Sequence, residues 1–278
     1  MIIGIWGDDK TCKTTFALTA PKKLAHMEFD IGGYDRAKHR FKAEIESKDI
    51  ITEHEGHELR YVMPFQYGDM SDLNLVRPSK IVVGMKELFF QFLSHYMKLV
   101  NDPEIATIVI DTGTLLWEVC SSSVLQEKQE LQFTADGNLK PGQQLRTSLN
   151  TFEYREPNIR MRGVMYQAKA NRTNLIITHH STDQYGPVLR GGEVKEEKTG
   201  KKERKGWNTL GDSADVIVHT FLKEIDTSKD DTPVMKLKPH AVIDLAECID
   251  LVGVELRIPT YDKVAKLVEM SRLAAEGE

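Results

Sequence analysis

The chain has 278 residues, of which 40% are hydrophobic and 28% charged, and its net charge is −5. That length suits one large α/β domain or two small ones, and the charge excludes a global basic field, so any nucleic-acid contact must come from a local patch. Three widely spaced cysteines, Cys12, Cys120 and Cys248, argue against a disulfide framework and for a reducing compartment.

The chain opens on an apolar, strand-like run, IIGIW at 2–6. It carries no basic n-region or cleavage site, so no signal peptide is expected. No later run approaches the ~18 apolar residues of a membrane helix, and a cytoplasmic location is expected. The run leads into GDDKTCKTT at residues 7–15. Its spacing fits the phosphate-binding loop G-x-x-x-x-G-K-[ST] everywhere but at Cys12, which stands where the second glycine belongs. In such a loop Gly7, Asp8, Asp9, Lys10, Thr11 and Cys12 turn backbone N–H groups toward phosphate, and Thr15 lies in the helix that follows. Lys13 would reach the β- and γ-phosphates and the Thr14 hydroxyl would ligate Mg2+. KTTFALTA supplies a first helix. If the backbone at Cys12 must take a positive φ, a non-glycine costs roughly 1–2 kcal/mol there, which lowers affinity or rate without abolishing binding.

LAHMEFDIGGYDR begins with a strand at 24–29 and delivers Glu28 and Asp30 to its C-terminal end. A carboxylate there orients an attacking water. Asp30, just before Gly32 and Gly33, is the first choice and Glu28 the second; a helix cap or turn acid is the ordinary alternative. A helical pattern at 84–100 precedes ATIVIDTGT at 106–114. This has the Walker B form, a buried strand carrying Asp111 to its end, where it holds Mg2+ through water. Helical periodicity returns at 114–131 and 158–171, separated by a polar loop at 132–150. The strand NLIITHH at 174–180 ends in two histidines. A polar side chain at that tip would touch the γ-phosphate and report its loss, with His180 the choice and His179 the runner-up. Metal binding by the pair is disfavoured, because adjacent strand residues point to opposite faces. Residues 186–209 hold glycine and charge with almost no apolar content and read as a mobile loop. A strand at 214–221 and a closing strand and amphipathic helix complete the chain. Continuous apolar strands alternating with helices predict a mainly parallel sheet covered on both faces.

In this order the chain resembles the RecA-like P-loop ATPases, most closely over NIRMRGVMYQAKANRTNLIITHH at 158–180. That family's sensor is usually Gln; here it is His, as in phage-encoded RecA-like ATPases of the AAA type that serve in recombination and single-strand annealing. The resemblance covers residues 1–245 and leaves 246–278 as a C-terminal strand and helix packed on the core. It implies ATP and Mg2+ as cofactors, single-stranded DNA as a partner and self-association into a ring or filament. It also implies contacts with single-strand-binding or other replication and recombination proteins, in a host cytoplasm if the chain is phage-encoded. The mobile stretch would match RecA's second DNA-binding loop and includes KEEKTGKKERKGW at 195–207, six basic residues against three acidic. There Lys201, Lys202, Arg204 and Lys205 would take phosphates and Trp207 would stack on a base; a solvated loop is the ordinary alternative. The 132–150 loop would match the first DNA-binding loop, with Lys140 and Arg146 as its basic residues. MKLKPH at 235–240 resembles the K-x-K that reaches a neighbouring subunit's nucleotide, making Lys236 and Lys238 candidate trans-acting fingers. The function expected is a DNA-stimulated ATPase, slow because of Cys12. The alternative is a nucleotide-gated binding protein with little hydrolysis, acting on a protein partner.

Overall fold

The computed structural model of the chain describes residues 1–65, 67–69, 77–78, 80–190, 193–226 and 235–276. The first apolar run forms β1 (Ile2–Gly7), buried along its whole length. The glycine-led loop follows it, then α1 (Lys13–Ala17), β2 (Leu24–Glu28) and α2 (Gly33–Ala37), which a 3-10 turn continues at Lys38–Arg40. After α3 (Lys42–Glu46) come five short strands: β3 (Ile50–Ile51), β4 (Glu53–His54), β5 (His57–Glu58), β6 (Tyr67–Asp69) and β7 (Arg77–Pro78). The long helices α4 (Met85–Asn101), α5 (Gly113–Glu130) and α6 (Arg155–Ala170) surround β8 (Thr107–Asp111) in the chain. They lead to β9 (Asn174–Arg190), β10 (Glu193–Arg204), β11 (Val216–Asp226), β12 (Met235–Ala246), β13 (Glu255–Arg257) and α7 (Tyr261–Glu276).

The main sheet runs β13-β12-β11-β1-β9-β8-β2-β3, with β10 paired to β9. From β11 to β3 every neighbouring pair is parallel, and β12 and β13 add an antiparallel edge. The class predicted from the sequence, a mainly parallel sheet flanked by helices, is the one observed. Side chains alternate across it. Ile2, Trp6, Ile108, Ile110, Leu175 and Ile177 face the layer of α4, α5 and α6, whereas Ile3, Ile5, Val109 and Ile176 face Phe16 and the α7 residues Tyr261, Val264 and Val268. Both faces are therefore covered, which is why the strands read as unbroken apolar runs. Each such side chain contributes about 1.5–3 kcal/mol on burial.

Two local expectations change. The helix expected over KTTFALTA stops at Ala17. Pro21 disfavours helical backbone before it, and the Thr19 hydroxyl donates to the Phe16 carbonyl at 2.7 Å, closing the turn. The mobile loop expected at 186–209 is instead an antiparallel ribbon: β9 runs on past His180 and β10 returns beside it, followed by a 3-10 turn at Asn208–Asp212. Residues 191–192 of that span, like 277–278 at the C-terminus, lie outside the described residues. Cross-strand contacts hold the ribbon. Lys198 and Lys202 pair with Asp183 at 2.6 and 2.7 Å, and the Thr199 hydroxyl donates to the Gln184 carbonyl at 3.2 Å. Among the described residues no helix is long and apolar enough to cross a membrane.

Candidate functional site

Parallel order brings the C-terminal ends of β1, β9, β8 and β2 side by side, and a cleft of about 430 Å³ opens there. It is lined from the loop by Asp9, Lys10, Cys12, Lys13, Thr14 and Thr15, and from the strand ends by Asp30, Asp111 and His180. The expected loop members Gly7, Asp8 and Thr11 do not line it. Gly7 is fixed by its backbone, because a Cβ there would lie 2.2 Å from the Thr220 carbonyl oxygen. Thr11 bonds to the Thr220 hydroxyl and donates to the Asp8 carbonyl, each at 2.8 Å, tying the loop to β11. Lys10 and Cys12 both take positive φ, 62° and 71°. The condition for strain at Cys12 is thus met.

Lys13 is buried, and its ammonium donates to the carbonyls of Gly7 at 2.9 Å and Asp8 at 2.7 Å. Burial lowers its pKa from the ordinary lysine value, opposed by Asp9, Asp111, Asp30 and Asp8. The Thr14 hydroxyl donates to Asp111 Oδ2 at 2.7 Å, and the Thr178 hydroxyl donates to the other carboxylate oxygen. His26 Nε2 stands 3.5 Å from Asp111 Oδ2, at the limit of hydrogen bonding. Burial pushes the Asp111 carboxyl up, but His26 and the hydroxyls of Thr178 and Thr14 outweigh it and hold the pKa below the usual carboxylate value.

Gly33 leaves the Thr14–Asp111 pair open. A Cβ at that position would come within 3.2 Å of Asp111 Oδ2 and 3.3 Å of Thr14 Oγ1. Adjacent hydroxyl and carboxylate oxygens beside open space are the hard donors that suit Mg2+, which takes few protein ligands and fills the rest with phosphate and water. Among the described residues no cluster of three or more His, Cys, Asp or Glu side chains offers a different metal site.

The two candidate water-orienting acids separate. Glu28 is buried, accepts from the Gly32 N–H at 3.2 Å and from Arg60 Nε at 2.8 Å, and lies outside the cleft. Asp30 lines the cleft, and burial raises its pKa, with His180 opposing most strongly. The histidines separate too. His180 sits between Asp9 Oδ1 at 3.3 Å and Asp30 Oδ2 at 3.7 Å. His179 is fully buried with Nδ1 3.2 Å from the Lys205 carbonyl, and desolvation drives its pKa to about 3. It stays neutral and points away.

The sequence reading missed several contributors. Thr178 lies two residues before His180 on the same strand, so strand alternation would have found it. Arg36 and Arg40, one helical turn apart, also line the cleft. Their signal was the four-residue spacing just after Gly32 and Gly33.

The residues expected to meet DNA are dispersed. Trp207 is 1% exposed and its indole donates to Asn158 Oδ1 at 2.8 Å, so it packs in the core and presents no face to a base. Arg204 turns inward to the Asn208 carbonyl at 2.9 Å, and Lys202 is paired with Asp183. Lys201 and Lys205 remain exposed. In the other loop Lys140 donates to the Leu131 carbonyl and Arg146 pairs with Glu153. Lys236 and Lys238 share one face of β12, opposite Ile225 and Lys223 of β11, where the hairpin extends past the last β1 partner, Thr220. They do not line the cleft.

Residues 1–244 match the family described as "AAA domain". Among solved structures, the chain is similar to a KaiC-like protein from the hyperthermophilic archaeon Pyrococcus horikoshii, at 10% identity and a TM-score of 0.41. That alignment covers 92% of this chain and 83% of the other. No curated protein matches the sequence.

Proposed function

The chain belongs to the AAA domain family, and from that footing we propose that it binds ATP with Mg2+ in the cleft at the ends of β1, β9, β8 and β2 and hydrolyses it slowly. One observation carries the reading: Lys13, Thr14, Asp111, Asp30 and His180, drawn from four separate chain segments, converge on a single cleft. Each has a task there. Lys13 would turn its ammonium from the Gly7 and Asp8 carbonyls to phosphate oxygens. Thr14, and Asp111 through water, would hold Mg2+, which would draw charge from the phosphate oxygens. Asp30 takes a hydrogen bond from the attacking water, and His180, 3.7 Å from it across the end of β8, meets the terminal phosphate. The strain at Cys12 works against tight closure of the loop, and this supports slow turnover.

Single-stranded DNA is the proposed partner, in recombination or annealing of the phage type, with self-association into a ring or filament. The support is the β9–β10 ribbon, which continues the strand bearing His180 and exposes Lys201, with Lys205 exposed just past its end. A second reading, a nucleotide-gated protein that hydrolyses little and grips a protein partner, is favoured by the burial of Trp207 and the pairing of Lys198 and Lys202. These take two lysines of the ribbon and its tryptophan out of play for a nucleic acid. Lys236 and Lys238 remain candidates for a neighbouring subunit's nucleotide.

The test is ATP hydrolysis with and without single-stranded DNA, with Lys13→Ala as the blank. Stimulation that vanishes in the variant supports the first reading. Tight Mg·ATP binding with no hydrolysis in either condition supports the second, and no nucleotide binding at all refutes both.

A further inference from the structure

Two arginines in the cleft wall have no role in the reaction just described. Arg36 lies on α2 and Arg40 four residues on, in the 3-10 turn that continues it. Both are exposed and both line the cleft. The cations beside them are engaged elsewhere, Lys38 with Asp35 at 2.7 Å and Arg60 with Glu28 at 2.8 Å. Among the described residues neither the Arg36 nor the Arg40 guanidinium has an ion-pair or hydrogen-bond partner.

Charge gives them a purpose. Leaving His180 aside, the cleft lining carries three carboxylates, Asp9, Asp30 and Asp111, against two lysines, Lys10 and Lys13. Before Mg2+ is counted, these side chains leave the wall net negative by one charge. Arg36 and Arg40 reverse its sign, giving four cations to three anions. Position then selects the part of the ligand they meet. The Arg36 guanidinium folds back over Gly32, where an added Cβ would lie 3.2 Å from Nη1. It is near enough to Asp30 for its charge to oppose the effect of burial on that carboxyl. On the proposed reading of the cleft, the Asp30 side is the side of the attacking water and the terminal phosphate.

We propose that Arg36 and Arg40 form a grip, supplied by the same subunit, for the terminal phosphate of a nucleoside triphosphate, and that this grip sets the preference for triphosphate over diphosphate. The inference rests on reading the cleft as a nucleotide site. Guanidinium groups suit the task, since their planar fork matches two phosphate oxygens at once.

Calorimetric affinities for Mg·ATP and Mg·ADP test it on the full chain. Arg36→Gln and Arg40→Gln should each weaken ATP roughly 10–100-fold, the worth of a charge-assisted contact, and leave ADP unchanged. Lys13→Ala should weaken both nucleotides. Both arginines are exposed, so melting temperatures should not move. Equal losses for ATP and ADP, or no loss for either, would overturn the grip while the cleft remains a nucleotide site. If the wild-type chain binds neither nucleotide, the site reading itself falls and takes the grip with it.

Discussion

Replacing Cys12 by glycine acts first on the backbone. Cys12 holds φ 71° and ψ 24°, a region that costs an L-residue roughly 1–2 kcal/mol and glycine almost nothing. Glycine also gains freedom in the unfolded chain, which returns about 0.5–1 kcal/mol of that advantage. Little packing is lost, since the thiol is half-buried and makes no side-chain cap bond to α1. The balance makes Cys12→Gly more stable by about 0.5–1 kcal/mol. In a chain of this length that is a rise in Tm of about 1–4 °C. Cys12→Ala is the control, because it removes the thiol and keeps the positive φ; its Tm should stay at or below the wild-type value. Calorimetric melting of the three proteins reads the backbone effect, and steady-state ATP hydrolysis reads its consequence. Glycine should speed turnover by letting the loop close on phosphate. A Cys12→Gly protein that melts no higher, or turns over more slowly, would mean that contacts of the thiol outweigh the strain and that the loop is built around cysteine.

Trp207→Ala should cost about 3–5 kcal/mol by urea unfolding, the usual price of emptying a buried indole site; full stability with weakened DNA binding would restore the stacking role to this residue. Asp30→Asn should abolish hydrolysis with no loss of Tm. Glu28→Gln should lose about 1–3 kcal/mol of stability by weakening the buried acceptor of Arg60 and Gly32, with hydrolysis largely kept, and the reverse pattern would exchange the two acids. Asp30 also carries a pH signature. Its folded-state pKa is raised by burial, so the folded chain holds this proton more tightly than the unfolded one, and stability falls as pH climbs from about 4 through the folded pKa. Asp30→Asn should therefore melt above wild type at pH 7, with the gap closing toward pH 4. A gap that stays constant across that range would contradict the burial of this carboxyl.

The strands were legible because burial on both faces leaves few polar positions to interrupt them, and β1 and β8 stand where apolar content alone puts them. The ribbon was not, for the opposite reason. Its described residues include no buried side chain, and its order comes from backbone pairing and from Lys198 and Lys202 meeting Asp183 across the strands. Nothing in local composition announces such a ladder. Trp207 was misplaced by the same limit, since its partner Asn158 is 49 residues away on α6. Glu28 and Asp30 look equivalent as strand-end acids, and only Arg60, brought in from beyond β5, consumes one of them. Spacing therefore located the cleft, while long-range partners decided which side chains are free to act in it.

Two aspartates in a loop that handles anions look self-defeating, and their partners separate them. The Asp8 carboxylate accepts from the Ser181 hydroxyl and stays out of the cleft lining. Asp9 lines the cleft, bonds His180 and is the largest favourable charge acting on Lys13. Both therefore tie the loop to β9 just where that strand leaves the sheet for the ribbon. A simple charge count treats them alike; geometry does not. Asp9→Asn should tighten Mg·ATP binding by roughly two- to five-fold, the scale of an exposed charge, and less at high salt. Asp8→Asn should leave affinity nearly unchanged and instead loosen the ribbon, read as faster amide exchange at Ser181 and Thr182. If both substitutions tighten binding equally, net charge governs the loop and the tether to β9 has no bearing on it. If only Asp9 does, the second acid belongs to the joint between cleft and ribbon, through which occupancy of one would be felt in the other.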